Sequence, residues 1–182
     1  MMVNNSPVVW TIGHSTRTLE TFVALLKGEG IEQIADVRSY PGSRSFPHFN
    51  RGPLTEFLSE SGILYLHFRE LGGRRAPHPG STNTVWENAS FRAYADHMET
   101  PEFRAGLSRL LQVASERPTA ILCAEALWWR CHRSMIADAL KAAGIKVLHI
   151  MGEGKTSEHP YTSAAKVVDG QLHYGARLEE DR

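Results

Sequence analysis

Apolar positions along this chain follow two periods in turn. Val8 to Gly13, VVWTIG, is a short apolar, β-branched run that reads as a buried first strand. In TLETFVALLKGEG the apolar residues Leu19, Phe22, Val23 and Leu26 recur at helical spacing, with Thr16 or Thr18 as cap and Gly28 and Gly30 at the end. IEQIADVRS reads as a second strand. After the turn-rich SYPGSRSFPHFNRG, the segment PLTEFLSESG predicts a helix with Pro53 at its first position and Gly62 as its stop. Ile63 to Phe68, ILYLHF, is the third strand.

Leu71 to Thr84, LGGRRAPHPGSTNT, is rich in glycine, proline and hydroxyl residues and predicts a long loop suited to a lid. Two helices follow, FRAYADHMET and PEFRAGLSRLLQVASER, the second with Thr100 as N-cap and Pro101 at its first position. PTAILCAE is a fourth strand, CHRSMIADALKAAG a helix, and IKVLHI a fifth strand. In the tail, Asp169-Gly170 between alternating runs signals a β-hairpin. Strands alternating with helices predict an α/β fold: a three-layer sandwich with a mainly parallel central sheet of about five strands, plus a C-terminal β-hairpin. The 182 residues suit a single domain, residues 1–182, with a core that needs no disulfide or structural metal.

In open sheets of this kind, ligands bind beyond the C-terminal ends of the strands. Polar residues gather there: His14 and Ser15 after strand one, Asp36 and Arg38 after strand two, His67 at strand three, Cys123 and Glu125 at strand four. One such residue is ordinarily a structural hydrogen-bonding group; several together predict one cleft.

Charge changes the picture locally. Twenty basic and twenty acidic residues cancel, which excludes the global positive field of a dedicated nucleic-acid binder. From Arg38 to Arg75, however, six arginines stand without a lysine, a composition suited to phosphate or carboxylate recognition or simply to a solvated basic face. The N-terminal residues lack a signal-peptide pattern and no apolar run is long enough to span a bilayer, so a cytoplasmic protein without membrane association is expected.

Both cysteines fall in CAEALWWRCHR, Cys123 to Arg133. Cys131, near a helix start beside Arg130, His132 and Arg133, has the setting of a reactive thiolate, and the same helix start suits an anion. Cys123, inside an apolar strand, reads as a small core residue. A metal site through Cys123, Cys131 and His132 is the minority expectation, because C-x7-C-H matches no usual zinc spacing. No cofactor is expected. Phosphate-loop, dinucleotide and serine-hydrolase motifs are absent; Gly154-Lys155-Thr156 only faintly resembles the end of a phosphate loop.

TIGHS, DVRSYPGSRSFPHFN, YLHFRELGG and LCAEALWWRCHRSMIADAL followed by VLHI resemble the successive motifs of the bacterial and archaeal family called domain of unknown function 488, over Trp10 to about Tyr174. The resemblance implies an α/β domain with an active site drawn from His14, Ser15, Asp36, Arg38, Pro41, Ser43, Arg44, His67, Leu71, Gly72, Gly73, Cys123, Glu125, Cys131, His132 and Arg133, and no settled activity. Between Glu125 and Cys131 this chain departs from the family in carrying the apolar ALWWR. Trp128 and Trp129 there either stack on a planar ligand or pack on a neighbouring element or a second subunit.

The expectation is an enzyme, of a hydrolase kind, for a phosphate-bearing nucleotide or nucleic acid. Asp36, Glu125, Cys131, His132 and His14 supply its chemistry. Ser15, Arg38, Ser43, Arg44, His67, Arg133, Trp128 and Trp129 hold the ligand. A thiol enzyme with Cys131 as nucleophile, and a non-catalytic module binding nucleic acid or protein, are the alternatives; the chain is compatible with homo-oligomers.

Overall fold

The computed structural model describes residues 7–175. The residues on either side, which the sequence reading places in the same domain, lie outside the described part. The elements run β1 (Val8–Gly13), α1 (Leu19–Gly28), β2 (Gln33–Asp36), α2 (Arg51–Glu60), β3 (Leu64–His67), α3 (Ala89–Met98), α4 (Pro101–Glu116), β4 (Thr119–Cys123), α5 (Arg133–Ala142), β5 (Lys146–Gly152), β6 (Lys155–Glu158), β7 (Lys166–Val168) and β8 (Gln171–His173). A six-stranded sheet has the order β3-β2-β4-β1-β5-β6, and β7-β8 pair separately. The first five of these strands are parallel; β6 runs antiparallel to β5.

Strand period explains the layers. Successive residues of a strand face opposite sides of the sheet, so Ile12, Ile34, Leu122 and Ile150 pack with Phe22 and Leu26 of α1 and Leu54 and Leu58 of α2. Their neighbours Val9, Ala35, Ile121 and Val147 pack with Tyr94 of α3, Phe103 and Leu110 of α4, and Met135 and Ile136 of α5. The central strands are buried on both faces, which is why β2 and β4 read as continuous apolar runs.

The sheet has one strand more than expected. β6, KTSE, is polar and exposed throughout, so hydrophobic periodicity does not reveal it. Gly154 has φ +63° in the turn between β5 and β6, a conformation that suits glycine; the Gly154-Lys155-Thr156 stretch is a hairpin, not a phosphate loop. α2 starts two residues before Pro53, which occupies the third helical position, where its missing N–H leaves no helical bond unmade. α3 starts at Ala89 because the Asn88 side chain accepts from the N–H of Ser90 and Phe91, at 2.9 and 3.2 Å.

A buried polar chain ties the C-terminal segment to the sheet. The Thr11 hydroxyl lies 2.5 Å from His149 Nδ1, His149 Nε2 lies 2.8 Å from His159 Nδ1, and His159 Nε2 donates to Asp138 Oδ1 at 2.8 Å. The other Asp138 oxygen accepts from the hydroxyls of Thr162 and Tyr174 at 2.5 and 2.7 Å. Thr11, Asp138, His149 and His159 are all buried, and every polar end finds a partner, as burial demands. Among the described residues no helix is long and apolar enough to cross a membrane.

Candidate functional site

β1 and β4 are neighbours whose following helices cover opposite faces of the sheet, α1 one face and α5 the other. Chains diverging this way leave a crevice beyond the strand ends. A cleft of about 610 Å³ lies there, walled by the segments that follow β1, β2 and β4 and by Gly73 and Arg74. The β1–β4 ladder continues past both strands: the N–H groups of His14 and Ser15 donate to the carbonyls of Cys123 and Ala124 at 2.9 Å. Gly13 permits this approach, since a Cβ there would stand 1.7 Å from the Glu125 carbonyl oxygen. Ser15 then turns the chain at φ 50°.

Asp36 ends β2, fully buried. Its Oδ1 accepts from the Arg38 backbone N–H at 3.1 Å and from Nε at 2.9 Å; its Oδ2 accepts from Arg38 Nη2 at 2.8 Å and from the Tyr65 hydroxyl at 2.5 Å. Burial and the Asp36 charge push the Tyr65 phenol far above its ordinary value, so it remains a donor. Burial alone would lower Arg38, but its hydrogen bonds to Asp36 and the carboxylate charge raise it. Asp36 is thus fully occupied and does not line the cleft; Arg38 does, and its buried Nη1 has no partner among the described residues. His67 Nε2 donates to the Arg38 carbonyl at 2.8 Å, a bracing contact outside the cleft wall.

Two imidazoles reach the cleft with fixed tautomers. His14 stacks on Phe49 at 4.4 Å and donates from Nδ1 to the Ser15 carbonyl at 2.9 Å, which leaves Nε2 as an acceptor. His132 donates from Nε2 to the Val37 carbonyl at 2.9 Å, which leaves Nδ1 as an acceptor 3.8 Å from Cys131 Sγ. Desolvation lowers both to about 4; the Arg38 charge adds to this at His14, and those of Arg133 and Arg75 at His132. Both rings are neutral at pH 7.

Cys123 and Cys131 are free thiols with their sulfurs 3.0 Å apart, both on the cleft lining. Cys131 stands two residues before α5 and its sulfur accepts from the Arg133 N–H at 3.2 Å. Burial and the neighbouring Cys123 push its thiol well above its ordinary value. Arg133 itself is 1% exposed and lies under the wall, with Nη2 on the carbonyls of Glu125 and Ala126 at 3.1 and 3.3 Å. Among the described residues no group of three or more His, Cys, Asp or Glu side chains is arranged to hold a metal ion; that applies to Cys123, Cys131 and His132 as well.

Of the sequence-predicted residues, the structure brings His14, Ser15, Arg38, Ser43, Glu125, Cys131 and His132 together on the cleft. Asp36, Arg44, His67, Arg133, Trp128 and Trp129 do not line it. Trp128 stacks face to face on His149 at 4.6 Å and 4°, so it packs on a neighbouring element; Trp129 is half exposed and meets Trp128 edge-on. The aromatic faces that do line the cleft are Tyr40, Phe46 and Phe91. Tyr40 is 64% exposed and carries the Arg74 guanidinium over its ring at 5.7 Å. Sequence reasoning does not single out Tyr40, which sits in an irregular loop, and takes in Arg74 only as one of the six arginines from Arg38 to Arg75. The arginine run and the Ser-Tyr-Pro-Gly turn were the available signals.

Fold and cleft define an open, mainly parallel α/β protein with a polar pocket at the switch point of its sheet. The chain belongs to the family described as domain of unknown function DUF488, whose model matches residues 18–140. The matched span holds Arg38, Glu125 and both cysteines and begins after His14 and Ser15. The chain is also similar to the methylmalonyl-CoA mutase small subunit of Propionibacterium freudenreichii subsp. shermanii, 30% identical over 110 residues, 59% of this chain. It spans only 16% of that relative. No solved structure matches the chain.

Proposed function

We propose that the cleft is the active site of a hydrolytic enzyme for a phosphate-bearing nucleotide or nucleic-acid ligand, cleaving a phosphoester or N-glycosidic bond. The observation that carries this reading is Arg38: a guanidinium on the cleft wall, locked by Asp36, whose buried Nη1 has no partner among the described residues. A planar donor fixed in advance suits an oxyanion and loses little side-chain freedom on binding. Arg74 and Arg130 add positive charge on the same cleft, and Tyr40, Phe46 and Phe91 offer ring faces for a base. Glu125 is exposed on the lining and forms no ion pair among the described residues. It serves as general base toward water or as partner to a developing cation. His14, neutral with Nε2 as acceptor, helps to orient that water.

Thermal melts of the intact chain with inorganic phosphate, nucleotides, nucleosides and short single- and double-stranded oligonucleotides test binding, and product analysis on the ligands that stabilise tests turnover. Glu125→Gln is expected to bind as the parent does while turnover falls by about a hundredfold or more. Stabilisation that persists with no product under any condition makes the protein a binding module instead; no stabilisation by any phosphate-bearing compound removes the reading.

A further inference from the structure

On the cleft floor, β4 ends in Cys123 and the approach to α5 lays Cys131 against it, sulfur to sulfur at 3.0 Å. Directly behind them is Arg133. Its guanidinium is buried, its Nη2 bonds only to carbonyls, its Nε has no partner, and no carboxylate forms an ion pair with it among the described residues. A guanidinium does not lose its proton in a protein, and a buried charge without a counter-charge is strongly unfavourable. The two thiols lie beside it, and its charge acts on both. Their environments differ: burial pushes both up, but the Cys131 S–H and the Arg133 charge draw Cys123 below its ordinary value, while Cys131 stays well above.

We propose that Cys123 and Cys131 form a reactive dithiol on the cleft floor, with Cys123 as the thiolate balanced by Arg133 and Cys131 as the resolving thiol, oxidised by a small hydroperoxide. The size of the oxidant follows from access. Cys123 is 2% and Cys131 8% exposed, so a peroxide molecule reaches the sulfur where a peptide-sized disulfide does not. In the first step the Cys123 sulfur attacks the terminal peroxide oxygen and the O–O bond breaks. The departing alkoxide or hydroxide takes a proton from water, and Cys123 becomes a sulfenic acid. In the second step the Cys131 sulfur attacks Cys123, the S–O bond breaks, and hydroxide leaves with the Cys131 proton as water. Two thiols and one hydroperoxide thus give one disulfide, one alcohol or water, and one water. The sulfurs need to approach by only about 1 Å to reach bonding distance. His132, with Nδ1 as acceptor 3.8 Å from Cys131 Sγ, is placed to take the Cys131 proton in transit.

This assignment does not rest on the phosphate ligand: a protein that binds no nucleotide still oxidises in this way, and one that binds nucleotides need not. The test exposes the intact chain at pH 7 to hydrogen peroxide and reads intact mass and thiols open to alkylation after unfolding. The expected result is loss of about 2 Da with both thiols, restored by dithiothreitol. In Cys131→Ser a dimedone adduct forms on Cys123; in Cys123→Ser the remaining thiol gives none. Two free thiols in the parent under peroxide that oxidises free cysteine, or an adduct on Cys131 and not on Cys123, overturns the proposal. If either variant fails to fold, brief peroxide treatment of the parent with dimedone present, followed by peptide mapping, decides which sulfur reacts first.

Discussion

Arg38 folds back on Asp36 two residues earlier, and one carboxylate oxygen takes both the backbone N–H and Nε of the same arginine, at 3.1 and 2.9 Å. Both residues are buried, with exposures of 8% and 0%. The ring this closes fixes the guanidinium plane before any ligand arrives, and Tyr65 completes the carboxylate from the neighbouring strand.

Removing the carboxylate charge therefore strands a buried guanidinium. Asp36→Ala is expected to lose about 3–5 kcal/mol of stability, because breaking one half of a buried pair leaves the other charge uncompensated. Tyr65→Phe, which removes a single hydrogen bond to a charged group, is expected to lose about 1–3 kcal/mol. Urea denaturation of both variants checks the order; a Tyr65→Phe loss equal to that of Asp36→Ala contradicts it.

Aromatic residues on and off the cleft separate binding from packing. Tyr40→Ala is expected to weaken nucleotide or oligonucleotide binding by about 1–3 kcal/mol with the melting temperature unchanged, since base stacking on an aromatic ring has that magnitude. Trp128→Ala is expected to do the reverse, losing about 2 kcal/mol of stability through its contact with His149. Paired titrations and melts report both quantities, and ligand affinity that follows Trp128 places the base on the wrong aromatic group.

The buried histidines set an acid limit. His14 and His132 stand at about 4 in the fold, and His149 at about 2, where burial, then the adjoining His159 ring and the Arg133 charge hold it down. The unfolded chain binds these protons near pH 6.5. A lowered pKa gives stability that is fully present above 6.5 and is lost as pH falls toward the folded value. Each ring then removes about 1.4 kcal/mol per pH unit below 6.5. Melting temperature is expected to drop steadily from pH 6.5 to pH 4.5, and His132→Gln to make that slope shallower; a flat profile over this range contradicts the assignment.

Close approach at Gly73 makes a further test. A Cβ there would meet His132 Nδ1 at 2.5 Å and Cε1 at 2.8 Å, in a ring held by the Val37 carbonyl and the Tyr94 face. Gly73→Ala is expected to lose about 1–3 kcal/mol by overpacking and to displace His132 from Cys131. Melts and the rate of alkylation of the folded protein read the two effects.

Much of this was legible in the chain. Buried parallel strands announced themselves as apolar β-branched runs, Thr100 with Pro101 marked the start of α4, and Asp169-Gly170 marked the terminal hairpin. β6 was not legible, because an edge strand that buries nothing has no hydrophobic period. Cleft residues on β1, β2 and β4 could be gathered from the rule that loops at the C-terminal strand ends share one crevice. Which of them face it could not, because Asp36 and Arg38 carry equal promise in sequence and only the return of Arg38 onto Asp36 turns one into a support for the other. The tryptophans misled for the same reason: Trp128 finds its ring partner, His149, on β5, and no local spacing encodes that pairing.

The chain from Thr11 through His149 and His159 to Asp138 has a direction. With Asp138 as a carboxylate at one end, which only accepts, each ring must donate from Nε2 toward it, and the hydroxyl hydrogen of Thr11 must point at His149. Proton positions in the middle of the sheet are therefore dictated from a helix, through a residue of the C-terminal segment. Truncation before His159 would strand an N–H of His149 and empty both oxygens of Asp138 of their partners from His159, Thr162 and Tyr174. The segment beyond β6 adds no strand to the main sheet, yet it sets the hydrogen-bond direction through the interior.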